Sequence, residues 1–201
     1  MINSIKKIKD LALSAAKGFT LIETLVAVLL LSIAIAGPLT IASKALSTAL
    51  IAKDQIGAYY LAQDAIEYLR YARDSNCLAA GGTTGCPSGS WLNGTVNLTP
   101  CENSSGCYLD SIHSTVGLMT SCPTTGCVLN WDSTNHYYSY TTGTASPEHY
   151  IRTVKMTAPV GSNDCSAGKG CEAGVVVIVQ WTGAGGITHS ITLREDLFNW
   201  E

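Results

Sequence analysis

The chain has 201 residues, of which 46% are hydrophobic and only 13% charged, with a formal net charge of −3. So high an apolar and so low a charged fraction excludes charge-driven disorder, and the acidic balance disfavours a protein that coats nucleic acid. The length suits one ordinary domain with an appendage, and eight cysteines are many for a reducing compartment.

The apolar excess is concentrated near the N-terminus. Residues 1–18 carry Lys6, Lys7, Lys9 and Lys17 against Asp10. From Phe19 to Ala36 a single charge, Glu23, interrupts an otherwise uncharged run. As a helix that run rises about 27 Å, close to a hydrocarbon thickness of about 30 Å. Extension to Ala42 completes the span, so 19–42 reads as a transmembrane helix. The lysines before it place the N-terminus in the cytoplasm and the rest of the chain outside, where disulfides form. A secretory signal peptide, cut among the small residues of 32–37, is the competing reading. Glu23 argues against it: a carboxylate in an apolar segment is costly and marks a function.

The helical pattern continues over 43–75. Ala52, Ile56, Tyr59, Ala62, Ile66 and Leu69 recur at three- and four-residue steps and predict an amphipathic stripe. Lys53, Asp54, Asp64, Glu67 and Arg70 lie off it, and Glu67 with Arg70 has the spacing of a surface ion pair. Pro38 removes one helical hydrogen bond and is expected to kink or loosen the helix there.

Residues 76–201 read as a globular head. Its first part is rich in Gly, Ser, Thr, Asn and Cys, with short strands expected at 128–131 and 137–140. The last fifty residues read as antiparallel sheet. Tyr150, Arg152, Val154 and Met156 alternate with Ile151, Thr153 and Lys155. Val175–Trp181 is a β-branched run, and Ile187, His189, Ile191 and Leu193 alternate with Thr188, Ser190 and Thr192. Glycines around 183–186 make a hairpin loop between them. The fold class is therefore α+β: a long N-terminal helix, membrane-spanning in its first half, packed on a C-terminal antiparallel sheet with Cys-rich loops.

One motif carries the functional reading. Lys17-Gly18-Phe19-Thr20-Leu21-Ile22-Glu23 joins the basic leader to the apolar helix. It resembles the cleavage and methylation motif of type IV pilins and of the pseudopilins of type II secretion. The resemblance implies that a prepilin peptidase cuts after Gly18, that residues 1–18 are a removed leader, and that Phe19 becomes the N-methylated N-terminus. It further implies a filament of pilin subunits built at an inner-membrane assembly platform, with the cytoplasmic membrane holding the subunit beforehand. It implies a structural subunit rather than an enzyme, with no cofactor and no metal.

Glu23 has a physical role in that scheme. After cleavage the Phe19 amine is a cation at the end of a greasy helix. Pairing it with the Glu23 carboxylate of a neighbouring subunit makes burial of both tolerable and sets an axial register. Snorkelling of Glu23 to the membrane interface is the simpler alternative.

The cysteines fall in close pairs: Cys77/Cys86, Cys101/Cys107, Cys122/Cys127 and Cys165/Cys171. Sequential local bridges are the preferred pairing among the many connectivities that eight cysteines allow. A zinc site is the rival for Cys122 and Cys127, whose spacing is nearest to that of structural zinc ligands.

Other signals are weaker. His113, His136, His149 and His189 are scattered and form no catalytic arrangement with Ser, Cys or Asp. Trp91, Trp131, Tyr137, Tyr138 and Tyr140 read as core, with an exposed binding surface as the alternative. Asp132 and Asn135 sit in an oxygen-rich stretch where a calcium loop is a lesser candidate. Three functions share this N-terminus: a minor pilin, a type II secretion pseudopilin, and a tip subunit whose head binds a surface or DNA. The minor pilin is preferred because of the Cys-rich head, and the head's acidity speaks against direct DNA contact.

Overall fold

The computed structural model describes residues 19–79, 91–110, 119–124, 126–146, 148–157, 172–183 and 186–199. By its internal contacts the chain divides into two compact units, Met1–Thr48 and Ala49–Glu201. Helix α1, Leu21–Ala79, contributes its first part to one unit and its remainder to the other.

In the first unit the described chain is helix alone. Thr20 ends the non-helical start: its Oγ1 accepts the Glu23 N–H at 3.3 Å and its carbonyl accepts the N–H groups of Glu23 and Thr24. That is an N-cap, which satisfies amide donors that a first helical turn leaves open. The helix runs through Pro38 without interruption, so the expected loosening is no break in the helix; proline removes only one backbone bond of the ladder. The few polar side chains turn back on the helix. Thr24 donates to the Leu21 carbonyl, Ser32 to Val28, Thr40 to Gly37 and Thr48 to Lys44, at 2.7–3.0 Å.

The second unit is the head. Its main sheet has five antiparallel strands in the order β2-β1-β6-β7-β8. They are β1 Cys107–Tyr108, β2 Thr120–Ser121, β6 Ile151–Met156, β7 Glu172–Thr182 and β8 Thr188–Phe198. A second sheet, β4-β3-β5, is formed by β3 Asn130–Asp132, β4 Tyr137–Ser139 and β5 Thr144–Ala145. Strands β6, β7 and β8 fall where the alternation placed them. The short strands expected at 128–131 and 137–140 are found as β3 and β4, which with β5 make the second sheet, while the unexpected pair β1–β2 extends the expected three-stranded sheet to five strands. Two-residue strands carry no period to read.

The core forms where α1 lies on the inner face of β6 and β7. Ala58, Ala62, Ala65, Ile66, Leu69 and Ala72 are buried from the helix side, with Val154, Met156, Val175, Val177, Val179 and Trp181 from the sheet. This corrects the predicted stripe. Ala62, Ile66 and Leu69 belong to it, whereas Ala52 is exposed, Ile56 is 57% exposed and Tyr59 48%. The helix meets a valine-rich sheet through alanines because small side chains permit close approach, and a period read from large residues picks the wrong face there. Gly57 serves the same closeness, since a Cβ at that position would stand 2.8 Å from the Tyr150 hydroxyl.

The helix also ends later than expected, at Ala79 rather than Ser75. Tertiary contacts hold its last turn. Asn76 is 1% exposed; its amide donates to the carbonyls of Trp91 and Val96 and its Oδ1 accepts the Val96 N–H at 2.7 Å.

In the second sheet, Gly143 permits a close crossing. It has φ +97°, and a Cβ there would lie 2.5 Å from the Trp131 carbonyl oxygen, a position only glycine fills without strain.

Candidate functional site

The N-terminal motif occupies the start of α1. Gly18 and residues 1–17 lie outside the described residues, so the expected cleavage point is described only from its Phe19 side. Phe19 is 77% exposed and precedes the helix. Glu23 stands in the first turn of α1, exposed, and has no ion-pair partner among the described residues. A carboxylate there complements the positive end of the helix dipole.

Thr20-Leu21-Ile22-Glu23 also has the spacing of a capping box, in which a threonine cap is followed three residues later by glutamate. That local signal was available in the sequence. Its threonine half is formed, by the Thr20 Oγ1 contact with the Glu23 N–H.

Beyond Glu23 the helix surface is apolar on every side. Leu25, Val28, Leu29, Leu30, Leu31, Ile33 and Ile35 are each 54–65% exposed. Leu21, Thr24, Leu25, Val28, Leu29, Ser32 and Ile33 line a shallow groove along one face. α1 is long and apolar enough to cross a membrane, with a window of mean hydropathy 2.5 that is wholly unburied within the chain. The back-bonded Thr and Ser hydroxyls suit this setting, because polar groups must be satisfied internally where water is excluded.

In the head, Cys101 is bonded to Cys107 and Cys122 to Cys127, with Cα–Cα distances of 4.5 and 5.2 Å. The second bridge takes both thiols out of any zinc-ligand set. Cys77 is also disulfide-bonded. Cys86, Cys165 and Cys171, and with them the expected pairs Cys77/Cys86 and Cys165/Cys171, lie outside the described residues.

The remaining candidates resolve into structure. The Asp132 carboxylate accepts the N–H groups of Thr134 and Asn135 and the Asn135 side-chain amide. These bonds, the Asn135 side chain first, hold its pKa below the usual carboxylate range. Its oxygens thus close a turn, and no cluster of three or more metal-ligating side chains occurs among the described residues. Trp91 is buried; Trp131, Tyr137, Tyr138 and Tyr140 are half-buried. Trp131 and Tyr138 pack at 4.8 Å, Tyr138 and Tyr150 edge-on at 5.5 Å, and Trp181 and His189 stack at 5.5 Å. His136 and His149 adopt positive φ in loops and His113 lies outside the described residues.

The strongest polar feature that the sequence reading missed is Arg152. It is 2% exposed, on the core face of β6. Its guanidinium donates to Asp64 at 2.6 Å, to the carbonyls of Leu61 and Leu109, and to the Tyr140 hydroxyl. Burial acts against the cation, but Tyr140 and Asp64 outweigh it and its pKa is raised.

Residues 13–37 match the family model of the prokaryotic N-terminal methylation motif. The N-terminal segment is thus prepilin-like, of the kind carried by processed type IV pilin-like subunits. No curated protein and no solved structure matches the chain.

Proposed function

We propose that the chain is a structural subunit of a type IV pilus-like filament, cut by prepilin peptidase after Gly18, methylated at Phe19 and assembled through residues 19–42. The observation that carries this reading is the unburied apolar surface of α1 behind the matched motif. Such a surface requires a cover. Each Leu, Ile or Val side chain taken from water is worth about 1.5–3 kcal/mol, and a membrane before assembly and neighbouring helices after it both supply that burial.

The same cover extends to the head. Ile56, Tyr59, Tyr60 and Ile191 border an uncharged groove beside β8, which packing of neighbouring subunits would close. A disulfide-rich head with loop-borne strands supports a minor subunit over a major one. Its position, with the N-terminus in the cytoplasm and the head outside before assembly, follows from the lysines of the leader. Secretion-type filaments and tip adhesion use the same N-terminus and differ in what the head meets.

Mass spectrometry of the mature protein tests the reading directly. Its first residue is expected to be methylated Phe19. A mature N-terminus near Pro38 would overturn it in favour of a secretory signal peptide, and so would a retained leader in cells with active prepilin peptidase.

A further inference from the structure

The two disulfides whose ends are both described differ in one respect that bears on their chemistry. Cys101 and Cys107 are each 0% exposed and Cys127 is 1% exposed, while Cys122 is half-buried. Cys122 directly follows β2, an edge strand of the main sheet, and leads into the exposed residues Pro123 and Thr124. Thiol–disulfide exchange needs a thiolate to approach one sulfur in line with the bond, so access decides which sulfur is attacked.

We infer that Cys122 Sγ is the entry point for a thiol–disulfide oxidoreductase, a partner carrying an exposed dithiol, and that exchange occurs there in the folded head. The partner's thiolate attacks Cys122 Sγ. A new S–S bond joins partner and Cys122, the Cys122–Cys127 bond breaks, and its electron pair leaves on Cys127 Sγ, which takes up a proton. Attack by the partner's second thiolate on its own mixed sulfur then releases Cys122 as a thiol and leaves the partner as a disulfide. Two electrons pass from the partner's dithiol to the bridge, and the reverse sequence closes it again.

The surroundings favour reversibility. The Cys122 N–H is held by the Gly106 carbonyl and the Cys127 carbonyl by the Arg152 N–H. Both ends of the opened loop therefore stay tied to the sheet by backbone bonds. Cys127 remains buried beside Cys122, close enough to re-form the bridge once it is deprotonated, although burial keeps its thiol poorly ionised and this step slow. The more accessible bridge thus serves as the handle for correcting pairings in the head, while Cys101–Cys107 stays closed. This inference rests on the observed burial and not on the filament reading.

Graded reduction tests it on the full chain in detergent. Dithiothreitol is added under native conditions, thiols are trapped with N-ethylmaleimide, and peptides are mapped by mass spectrometry. Within these two bridges, Cys122–Cys127 is expected to open at least about tenfold faster than Cys101–Cys107, with the far-ultraviolet circular dichroism unchanged. Comparable opening rates, or loss of structure in step with opening, would overturn the inference.

The attacked sulfur is identified by two variants that remove the same bridge. In Cys127→Ser the remaining Cys122 thiol is expected to react readily with Ellman's reagent. In Cys122→Ser the Cys127 thiol is expected to react only after unfolding. Equal reactivity of the two in folded protein would refute the assignment to Cys122, and if neither variant folds, peptide mapping of the first mixed disulfide that glutathione forms with the unaltered chain decides, on Cys122 as expected or on Cys127 against it.

Discussion

The guanidinium of Arg152 meets the carboxylate of Asp64 at 2.6 Å, joining β6 to the middle of α1 from opposite conditions of burial: the arginine side chain is 3% exposed and the aspartate 47%. The asymmetry says which partner matters more. Asp64 keeps much of its hydration without the pair. Arg152 also supplies the donors for the Leu61 and Leu109 carbonyls and the Tyr140 hydroxyl, and the Tyr140 hydroxyl in turn donates to the Arg152 carbonyl. Arg152→Ala is expected to destabilise the head by about 3 kcal/mol, because several buried acceptors lose their donor together. Asp64→Asn keeps an acceptor for Arg152 and is expected to cost about 1 kcal/mol. Urea denaturation of both variants checks the ranking, and equal costs would contradict it.

Asn76 makes a second prediction of this kind at the end of α1. Its three hydrogen bonds to Trp91 and Val96 hold those two residues against the end of the helix. Asn76→Ala is expected to cost about 2–4 kcal/mol, since each buried group left unpaired costs about 1–3 kcal/mol. Asn76→Asp is expected to be at least as harmful, because it retains the acceptor, deletes both donated bonds and buries a charge. Thermal unfolding of the two variants measures both effects, and a melting point unchanged in either would show that the segment is held by other contacts.

What could be read from the sequence follows the range of the interaction involved. The N-terminal motif, the apolar run and the long strands β7 and β8 are local patterns, and each is where the residues placed it. The bridges Cys101–Cys107 and Cys122–Cys127 also close over short separations. The Arg152 site was hidden for the opposite reason. Alternation puts Arg152 on the apolar face of its strand, yet nothing local names Asp64 as the group that makes this tolerable, 88 positions away. The helix stripe fails near Ile56 and Tyr59 because size is no guide to burial there: alanines face the sheet. Strands of two residues, held in place by their neighbours, carry no pattern of their own.

Tyr138, Tyr140 and Tyr150 give the head a predictable alkaline limit. Burial raises the pKa of Tyr138, to about 12, with the charges of Glu148 and Asp54 adding to it. Burial likewise raises Tyr140 and Tyr150 above the ordinary range. The folded state therefore holds these protons more tightly than the unfolded chain, whose tyrosines ionise near pH 10. The stability this confers is complete below about pH 10 and is lost as pH rises through the folded values. Absorbance titration at the tyrosinate band is expected to withhold part of the change from the nine tyrosines until the head unfolds. Full ionisation near pH 10 with the native circular dichroism intact would contradict the assigned burial.

Glu23 stands at the start of α1 in two roles that must be separated, a partner to the helix end and, in the proposed filament, a partner to the Phe19 amine of another subunit. The two roles respond differently to the same changes. Glu23→Gln keeps a side chain able to complete a capping box but deletes the charge. It is expected to leave insertion in the membrane intact and to reduce incorporation into filaments, because an α-amine buried among apolar helices then lacks its counter-charge. Thr20→Ala removes the observed cap and is expected to cost about 1 kcal/mol of helix stability at that end, with filament incorporation largely retained. Membrane fractionation and quantification of sheared filaments read the two outcomes separately. Normal assembly of Glu23→Gln with impaired assembly of Thr20→Ala would assign this carboxylate to the helix end alone and remove it from the contact between subunits.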